Sequence, residues 1–372
     1  MGYALTILWH DRQRYLPAML AVTFSALLVA LQFGLLLGTF SMVSIPIDHT
    51  NADVWVGQPQ ASSVDMSLSV PERWRDRMEG MPEIVQTEPY IQSFMSWSKP
   101  HGGTEHIIVI GSRLHDGALG AVKELTPQLR RKLVEPGAVV VDRADLGRLG
   151  LTTGIGESAD VNGLRVRVVG VVRGLKGLGG PYIFCSLETA RRLVRMAPDE
   201  VTYLLARCRN PQDAARVVAR LRHYPNMSAF TSTEFSFRSR WHWLVMSGGG
   251  IALGCAALLG LLVGAVVTSQ TLYAATAASF REYAVLRALG VPQWRLAGII
   301  LAQACWLGVA GTLLALPVVY GLSQLAGCLG ARVFLPPWVL GSSAGLTLIT
   351  ALIAGLAALR SLRHLQLATL LR

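Results

Sequence analysis

Along its 372 residues the chain alternates long uncharged apolar runs with stretches of ordinary mixed polarity. No Asp, Glu, Lys or Arg occurs from Tyr15 to Ile47, Trp241 to Phe280, Leu296 to Ala331 or Val333 to Leu359. Each run exceeds the roughly 20 residues needed to cross a hydrocarbon core. They predict transmembrane helices near 16–40, 244–270, 297–325 and 338–359, within membrane segments 16–47, 241–274, 296–326 and 338–359. The expected fold is an α-helical membrane protein with four transmembrane helices in a 1+3 arrangement. A large extracytoplasmic α+β domain, 48–240, separates the first helix from the second. The first apolar run is far longer than a signal-peptide core of about 7–15 residues, so it reads as an uncleaved anchor.

Between the first two runs the pattern changes to short strands and amphipathic helices. "ADVWVG" (52–57) predicts a strand, "VPERWRDRMEG" (70–80) a helix with Pro71 in its first turn, and "EIVQTEPYIQSFMSW" (83–97) an extended segment. Pro89 marks a kink or a sheet edge in that segment. Together these make one β-α-β unit. A second comprises "VTYLLARC" (201–208), the helix "PQDAARVVARLRHY" (211–224) and "MSAF" (227–230). Two such units would share one sheet covered on one face by the two helices. Residues 104–185 between them are mostly strand, so a β-rich lobe, about 100–185, is predicted as an insertion. "GLKGLGG" (174–180) reads as a loop joining two of its strands.

Charge fixes the orientation. Arg12 and Arg14 precede the first span; Arg281, Arg287 and Arg295 lie between the second and third; Arg360, Arg363 and Arg372 follow the fourth. Asp11 and Glu282 are the only acids there, and Arg332 stands alone between spans three and four. The positive-inside rule then places both termini and the 275–295 segment in the cytoplasm of a bacterial inner membrane, with 48–240 outside. Residues 1–15, with Leu5, Leu8 and Trp9, read as an interfacial helix, and 360–372 as a cytoplasmic tail. The net charge of +11 is partly this bias. No compact basic face or aromatic-basic motif suggests nucleic acid.

Candidate chemistry is sparse. No phosphate-cradling G-x-x-x-x-G-K-[ST] run occurs, and "GLKGLGG" lacks that spacing. His101 and His106 flank "GGT" without further metal-ligand spacing and read as surface histidines in a turn. No nucleophile elbow is present. No cofactor or metal site, and no enzyme activity, is expected of this chain. The spans carry no ionisable Asp, Glu, Lys or Arg, which argues against an ion-coupled carrier. Gln32, Gln270 and Gln303 read as interhelical packing groups. Gly250–Gly254 and Gly260–Gly264 have G-x-x-x-G spacing, which favours close helix contact and suggests a dimer face. Cys185 and Cys208 fall on separate outer strands, and spacing alone leaves their pairing open.

The segment "SFREYAVLRALGVPQWRL" interrupts this apolar half. At about 100° per residue, Tyr283, Val285, Leu286 and Leu289 share one arc of a helix. Arg281, Ala284, Arg287 and Ala288 share the other side, and Glu282 breaks the apolar arc. Gly290 suits the position that ends a helix, and Pro292 suits the first turn of the next. An interfacial helix with snorkelling arginines and a docking knob for a cytoplasmic partner are both compatible with this pattern.

This segment resembles the R-E-[IY]-[AG]-x-L-[RK]-A-[LM]-G run that follows span two in ABC-exporter permeases of the MacB, FtsX and lipoprotein-releasing type. "VVTSQTLYAATAASFREYAVLRALG", "LQFG" (31–34) and "NADVWV" (51–56) are similar to the DevC-like heterocyst-exporter group within it. The resemblance covers the whole length; unlike MacB itself, this chain has no fused ATPase domain. It implies a permease homodimer served by separate ATPase subunits, which bind ATP and magnesium. ATP-driven closure would act through an ATPase-coupling surface of Phe280, Arg281, Glu282, Tyr283, Val285, Leu286, Arg287, Ala288, Leu289 and Gly290. The outer domain would then move against a periplasmic membrane-fusion adaptor, with an outer-membrane channel completing a tripartite path. A signalling permease of the FtsX kind, switching a cell-wall hydrolase, and a non-ABC membrane receptor or scaffold are the competing functions.

Overall fold

The computed structural model describes residues 12–66, 68–278, 285, 292–328 and 333–364. It divides into two compact units, one made of Met1–Thr39 with Gly249–Arg372, the other of Phe40–Gly248.

The first helix, α1 (Arg12–Ser41), ends where the charge-free run does not. Met42, Val43, Ile45 and Ile47 continue that run but are buried within the second unit, with α2 (Ile45–Asp48) formed from part of it. The predicted segment 16–47 therefore combines a membrane-length helix with a plug of domain core. Hydropathy cannot separate the two, because lipid and core both select uncharged apolar side chains.

Next come β1 (Val54–Gly57), β2 (Val70–Pro71), a 3-10 turn (Glu72–Trp74), α3 (Arg75–Glu79) and β3 (Ile84–Ser98). The helix expected over 70–80 is thus α-helical only in its second half. Val70 and Pro71 pair instead with Val201 and Glu200. The insertion supplies β4 (Thr104–Ser112), α4 (Pro127–Leu133), β5 (Ala138–Asp142), α5 (Leu146–Leu149), β6 (Ser158–Val161), β7 (Leu164–Val172), β8 (Tyr182–Ser186) and α6 (Leu187–Val194). The chain then forms β9 (Glu200–Val201), β10 (Tyr203–Cys208), α7 (Ala214–Leu221), β11 (Ser228–Thr231) and α8 (Ser232–Met246).

Strands β11-β1-β10-β3 lie side by side, each antiparallel to its neighbour, giving the split β-α-β order. Alternation assigns the two faces. Val54, Val56, Leu204 and Ala206 pack with Met78 of α3 and Val217, Val218 and Leu221 of α7. Trp55, Tyr203 and Leu205 point the other way, into a core shared with Phe235 of α8. The expected one-sheet, two-helix layer is present, and its second face is covered as well.

The β-rich lobe is a closed ring, β3-β4-β8-β5-β7-β6, shut by pairing of Trp97 and Ser98 with Val161 and Asp160. It begins earlier than residue 100, because β3 belongs to both layers. Residues 84–90 pair with β10 and residues 91–98 with β4. Pro89, which has no N–H to donate, sits at that changeover opposite Leu204. Cys185 and Cys208 are free and buried in separate cores, so they form no disulfide. Burial pushes both thiols up, that of Cys208 to about 11.

One turn of the lobe carries a pH dependence. Glu157 accepts hydrogen bonds from the backbone N–H of Gly154 at 2.9 Å and Thr153 at 2.7 Å. These bonds hold its carboxyl down at about 2, against an ordinary 4.5. A depressed carboxyl stabilises the fold above its unfolded pKa, and that contribution is lost as pH falls through the folded value. The melting difference between wild type and Glu157→Gln should be full above pH 4.5 and shrink toward pH 2. A difference that stays constant over that window would remove the charge from the account.

The other unit holds α1 with α9 (Gly248–Ala278), α10 (Gln293–Cys328) and α11 (Pro337–His364). Among the described residues, three helical segments are long and apolar enough to cross a membrane: Tyr15–Ser41, Gly248–Thr271 and Leu301–Gly327. In α11 the apolar portion, Pro337–Ile353, is shorter. The predicted segment 241–274 needs correction at its start. Residues 241–246 complete α8, Ser247 is extended (φ −86°, ψ 135°), and α9 begins at Gly248. The G-x-x-x-G reading changes too. A side chain at Gly264 would collide with Ser25 of α1, and one at Gly260 would lie 3.4 Å from Gln32. This pair of glycines packs α9 on α1 of the same chain. Gly254 faces open space.

Candidate functional site

Sequence points to the connection between α9 and α10. Of its expected coupling residues, Phe280, Arg281, Glu282, Tyr283, Leu286, Arg287, Ala288, Leu289 and Gly290 lie outside the described residues. Val285 is helical and 59% exposed. Beyond it, Pro292 immediately precedes α10, whose first turn carries the exposed Trp294 with the Arg295 guanidinium 5.1 Å from its ring. An aromatic and a cation together at the start of an apolar helix make a headgroup-level anchor.

A second arrangement was not singled out by sequence reasoning. It lies at the base of the outer unit, where the chain enters through α2 and leaves through α8. Arg240 of α8 donates from Nε to Ser44 Oγ at 2.7 Å and pairs with Asp48 through a terminal guanidinium nitrogen. Ser44 Oγ in turn donates to Asp48 Oδ2 at 2.7 Å. Asp48 is the first charge after the first apolar run, and Arg240 the last before the second. Their position as the two bracketing charges was the available signal. Ser232, at the start of α8, reinforces the joint: its N–H donates to Asp53 O at 3.0 Å and its hydroxyl to Ala52 O. The open hollow beside it, about 430 Å³, is lined by Asp48, Thr50, Ser232, Ser236, Phe237 and Arg240.

The glycine-rich loop 174–180 contributes packing here. A side chain at Gly180 would meet His106 O at 2.6 Å, and Gly179 lies where a Cβ would be 3.5 Å from Trp243 of α8 and 3.6 Å from Phe94. The glycines let backbone approach backbone and ring.

Elsewhere a cleft of about 440 Å³ opens at the ends of the parallel strands β4 and β8. Arg113, Arg130 and Arg131 line it, but so do Asp116 and Glu188, leaving no strong charge of one sign. His101 is exposed in a turn, while His106 is exposed on β4 rather than in the turn expected. No group of three or more His, Cys, Asp or Glu suited to a metal occurs among the described residues.

Comparison with known proteins gives two family matches. Residues 16–224 match the MacB-like periplasmic core domain, and residues 254–367 match the FtsX-like permease C-terminal domain. No curated protein matches the chain. Similar solved structures include the extracellular domain of the noncanonic ABC-type transporter YknZ from Gram-positive bacteria, at 14% identity and TM-score 0.33. That match covers 48% of this chain and 98% of that one. The periplasmic region of MacB from Actinobacillus actinomycetemcomitans is similar at 12% identity and TM-score 0.34, over 50% of this chain and 92% of that one. A domain of a putative permease protein from Porphyromonas gingivalis is similar at 12% identity and TM-score 0.31, over 49% and 90%. The first family match spans more than half of the chain, and together with the second and the apolar helices it marks a protein of the bacterial inner membrane. The chain belongs to the MacB/FtsX family of ABC-type permeases.

Proposed function

We propose that the chain is the permease subunit of an exporter whose ATPase is a separate protein, and that residues 280–290 receive the ATPase's motion. In this reading four helices cross the membrane, both termini are cytoplasmic, and 48–240 lies outside. Two copies pair, ATP and magnesium reside on the ATPase, and the outer domain works against a periplasmic adaptor, with an outer-membrane channel completing the path. The similarity to DevC-like permeases belongs to the same reading. One observation carries it: a charged, helix-patterned segment sits between two apolar helices, within the part that matches the FtsX-like permease domain. A docking helix needs an apolar ridge to bury and rim charges to set its register. Val285, Leu286 and Leu289 supply the ridge; Arg281, Glu282 and Arg287 supply the rim. Ala288 permits close approach, and Gly290 lets the chain turn back.

The test is recovery of the partner ATPase by wild type, Leu289→Asp and Arg287→Glu at equal membrane levels. Both variants should lower recovery at least about tenfold, a change worth about 1.4 kcal/mol, while the chain stays inserted. An interfacial helix would behave differently: Leu289→Asp would loosen it from the membrane and Arg287→Glu would change little. Equal recovery by all three chains would make the segment a membrane-surface element only.

A further inference from the structure

Among the described residues of the outer unit, Asp65 is a buried carboxylate with neither a cation beside it nor a hydrogen bond to its second oxygen, whereas the equally cation-free Asp142 accepts from Ala144 N and Leu175 N. Asp65 is 7% exposed and lies in the loop that follows β1. Its Oδ1 accepts from Gln92 Nε2 of β3 at 2.6 Å. Among the described residues its Oδ2 has no protein partner, nor do the neighbouring Gln92 Oε1, Tyr90 hydroxyl and Ser63 hydroxyl. The titratable groups that face it are the phenols Tyr90 of β3 and Tyr182 of β8. From β10, Tyr203 turns its hydroxyl to the loop's own carbonyls, donating to Val64 O at 2.9 Å. From α8, Ser239 faces the loop, and the next residue, Arg240, is engaged by Ser44 and Asp48. No cation pairs with Asp65 among the described residues.

This loop ties separate elements together. Gln60 N donates to Ser228 Oγ of β11 at 3.2 Å. Val64 N donates to Ser239 Oγ of α8 at 3.0 Å, and the Val64 side chain is 1% exposed in the aromatic core. The loop therefore latches the sheet to α8, the helix that runs to Met246 just before α9. A carboxylate buried without a cation costs free energy when ionised and very little when neutral.

We propose that the loop around Asp65 is a proton-controlled latch, closed on β3 and α8 when Asp65 is neutral and released when it ionises. Burial pushes the Asp65 carboxyl up to about 7, with the Gln92 hydrogen bond acting in the opposite sense. Its ordinary value is 3.8. With the closed-state value raised, the latch is strongest below the ordinary value. It weakens as pH rises from there toward about 7 and then levels off.

The experiment is amide hydrogen exchange on the full chain in lipid nanodiscs, corrected for intrinsic exchange rates, from pH 5 to pH 8. The reporter is the Val64 amide and its neighbours. One proton released per opening predicts that corrected exchange rises about tenfold per pH unit and levels off near pH 7. Asp65→Asn should abolish the rise. Gln92→Leu, which removes the side-chain bond that favours ionisation, should keep the rise and move its plateau to higher pH. Flat exchange in wild type would overturn the latch. So would an unchanged rise in Asp65→Asn, or an unmoved plateau in Gln92→Leu.

Discussion

Trp55→Ala is expected to destabilise the outer unit by about 3–5 kcal/mol, the usual cost of emptying a buried large aromatic site. Trp55 is fully buried on the face of β1 away from α3 and α7. Its ring centroid lies 5.2 Å from that of Tyr90 and 5.5 Å from that of Tyr203, both edge-on, and 5.9 Å from Phe235. Phe235 is also stacked on Phe230 at 4.9 Å. These rings come from β1, β3, β10, β11 and α8, so no single element can close over the void. Among the described residues the indole N–H has no protein partner, so the expected loss is one of packing area and ring contacts. Denaturant unfolding followed by exchange of β1 and β10 amides measures it. A change below about 1 kcal/mol would mean that the cluster collapses around the gap.

Gly111→Val should cost about 3 kcal/mol, the upper end of overpacking penalties. The reason is space alone. A Cβ on Gly111 of β4 would collide with the Cβ of Ala190 on α6, and it would lie 3.5 Å from the Leu187 Cα. A Cβ has no rotamer to escape into, so α6 must lift from the sheet. Ala190 and Leu187 belong to the buried core beneath that helix. The check is a double-mutant cycle. Gly111→Ala combined with Ala190→Gly should lose at least about 1 kcal/mol less than the two single losses added together. Strict additivity would show that the strand and helix are not in contact at this point.

Local pattern made much of the outer domain legible. In β1 and β10, alternating residues such as Val54, Trp55 and Val56 marked strands, and the two flanking helices announced the split layer. What stayed hidden was set by tertiary pairing. Nothing in "EIVQTEPYIQSFMSW" tells that one strand serves two partners, because the switch at Pro89 is a property of β10 and β4. The sequence reading assigned no element between residues 186 and 200, where α6 lies. Yet Ser186 caps that helix by accepting from Thr189 N at 3.2 Å, a signal present in the sequence. The ends of the apolar runs misled for a physical reason: Met42 to Ile47 and Trp241 to Met246 are as uncharged as the spans but belong to the domain. The 280–290 segment was singled out by amphipathic pattern and resemblance, and all of it but Val285 lies outside the described residues. The Ser44–Asp48–Arg240 cluster was missed because Asp48 and Arg240 are 192 positions apart, and their place as the charges bracketing the outer domain was its one sequence signal.

That cluster has a mechanical meaning. The entry strand β1 and the exit strand β11 are antiparallel neighbours, with Val54 opposite Thr231. Tension that parted the two ends of the domain would peel these strands like a zipper, one rung at a time, the weakest way to load a sheet. The Arg240 guanidinium, with Ser44 and Asp48, stands ahead of the first rung, and Ser232 bonded to Ala52 and Asp53 stands beside it. Incoming and outgoing chain are therefore riveted before tension reaches the strands. Force applied at either end would load these contacts before the rungs between β1 and β11.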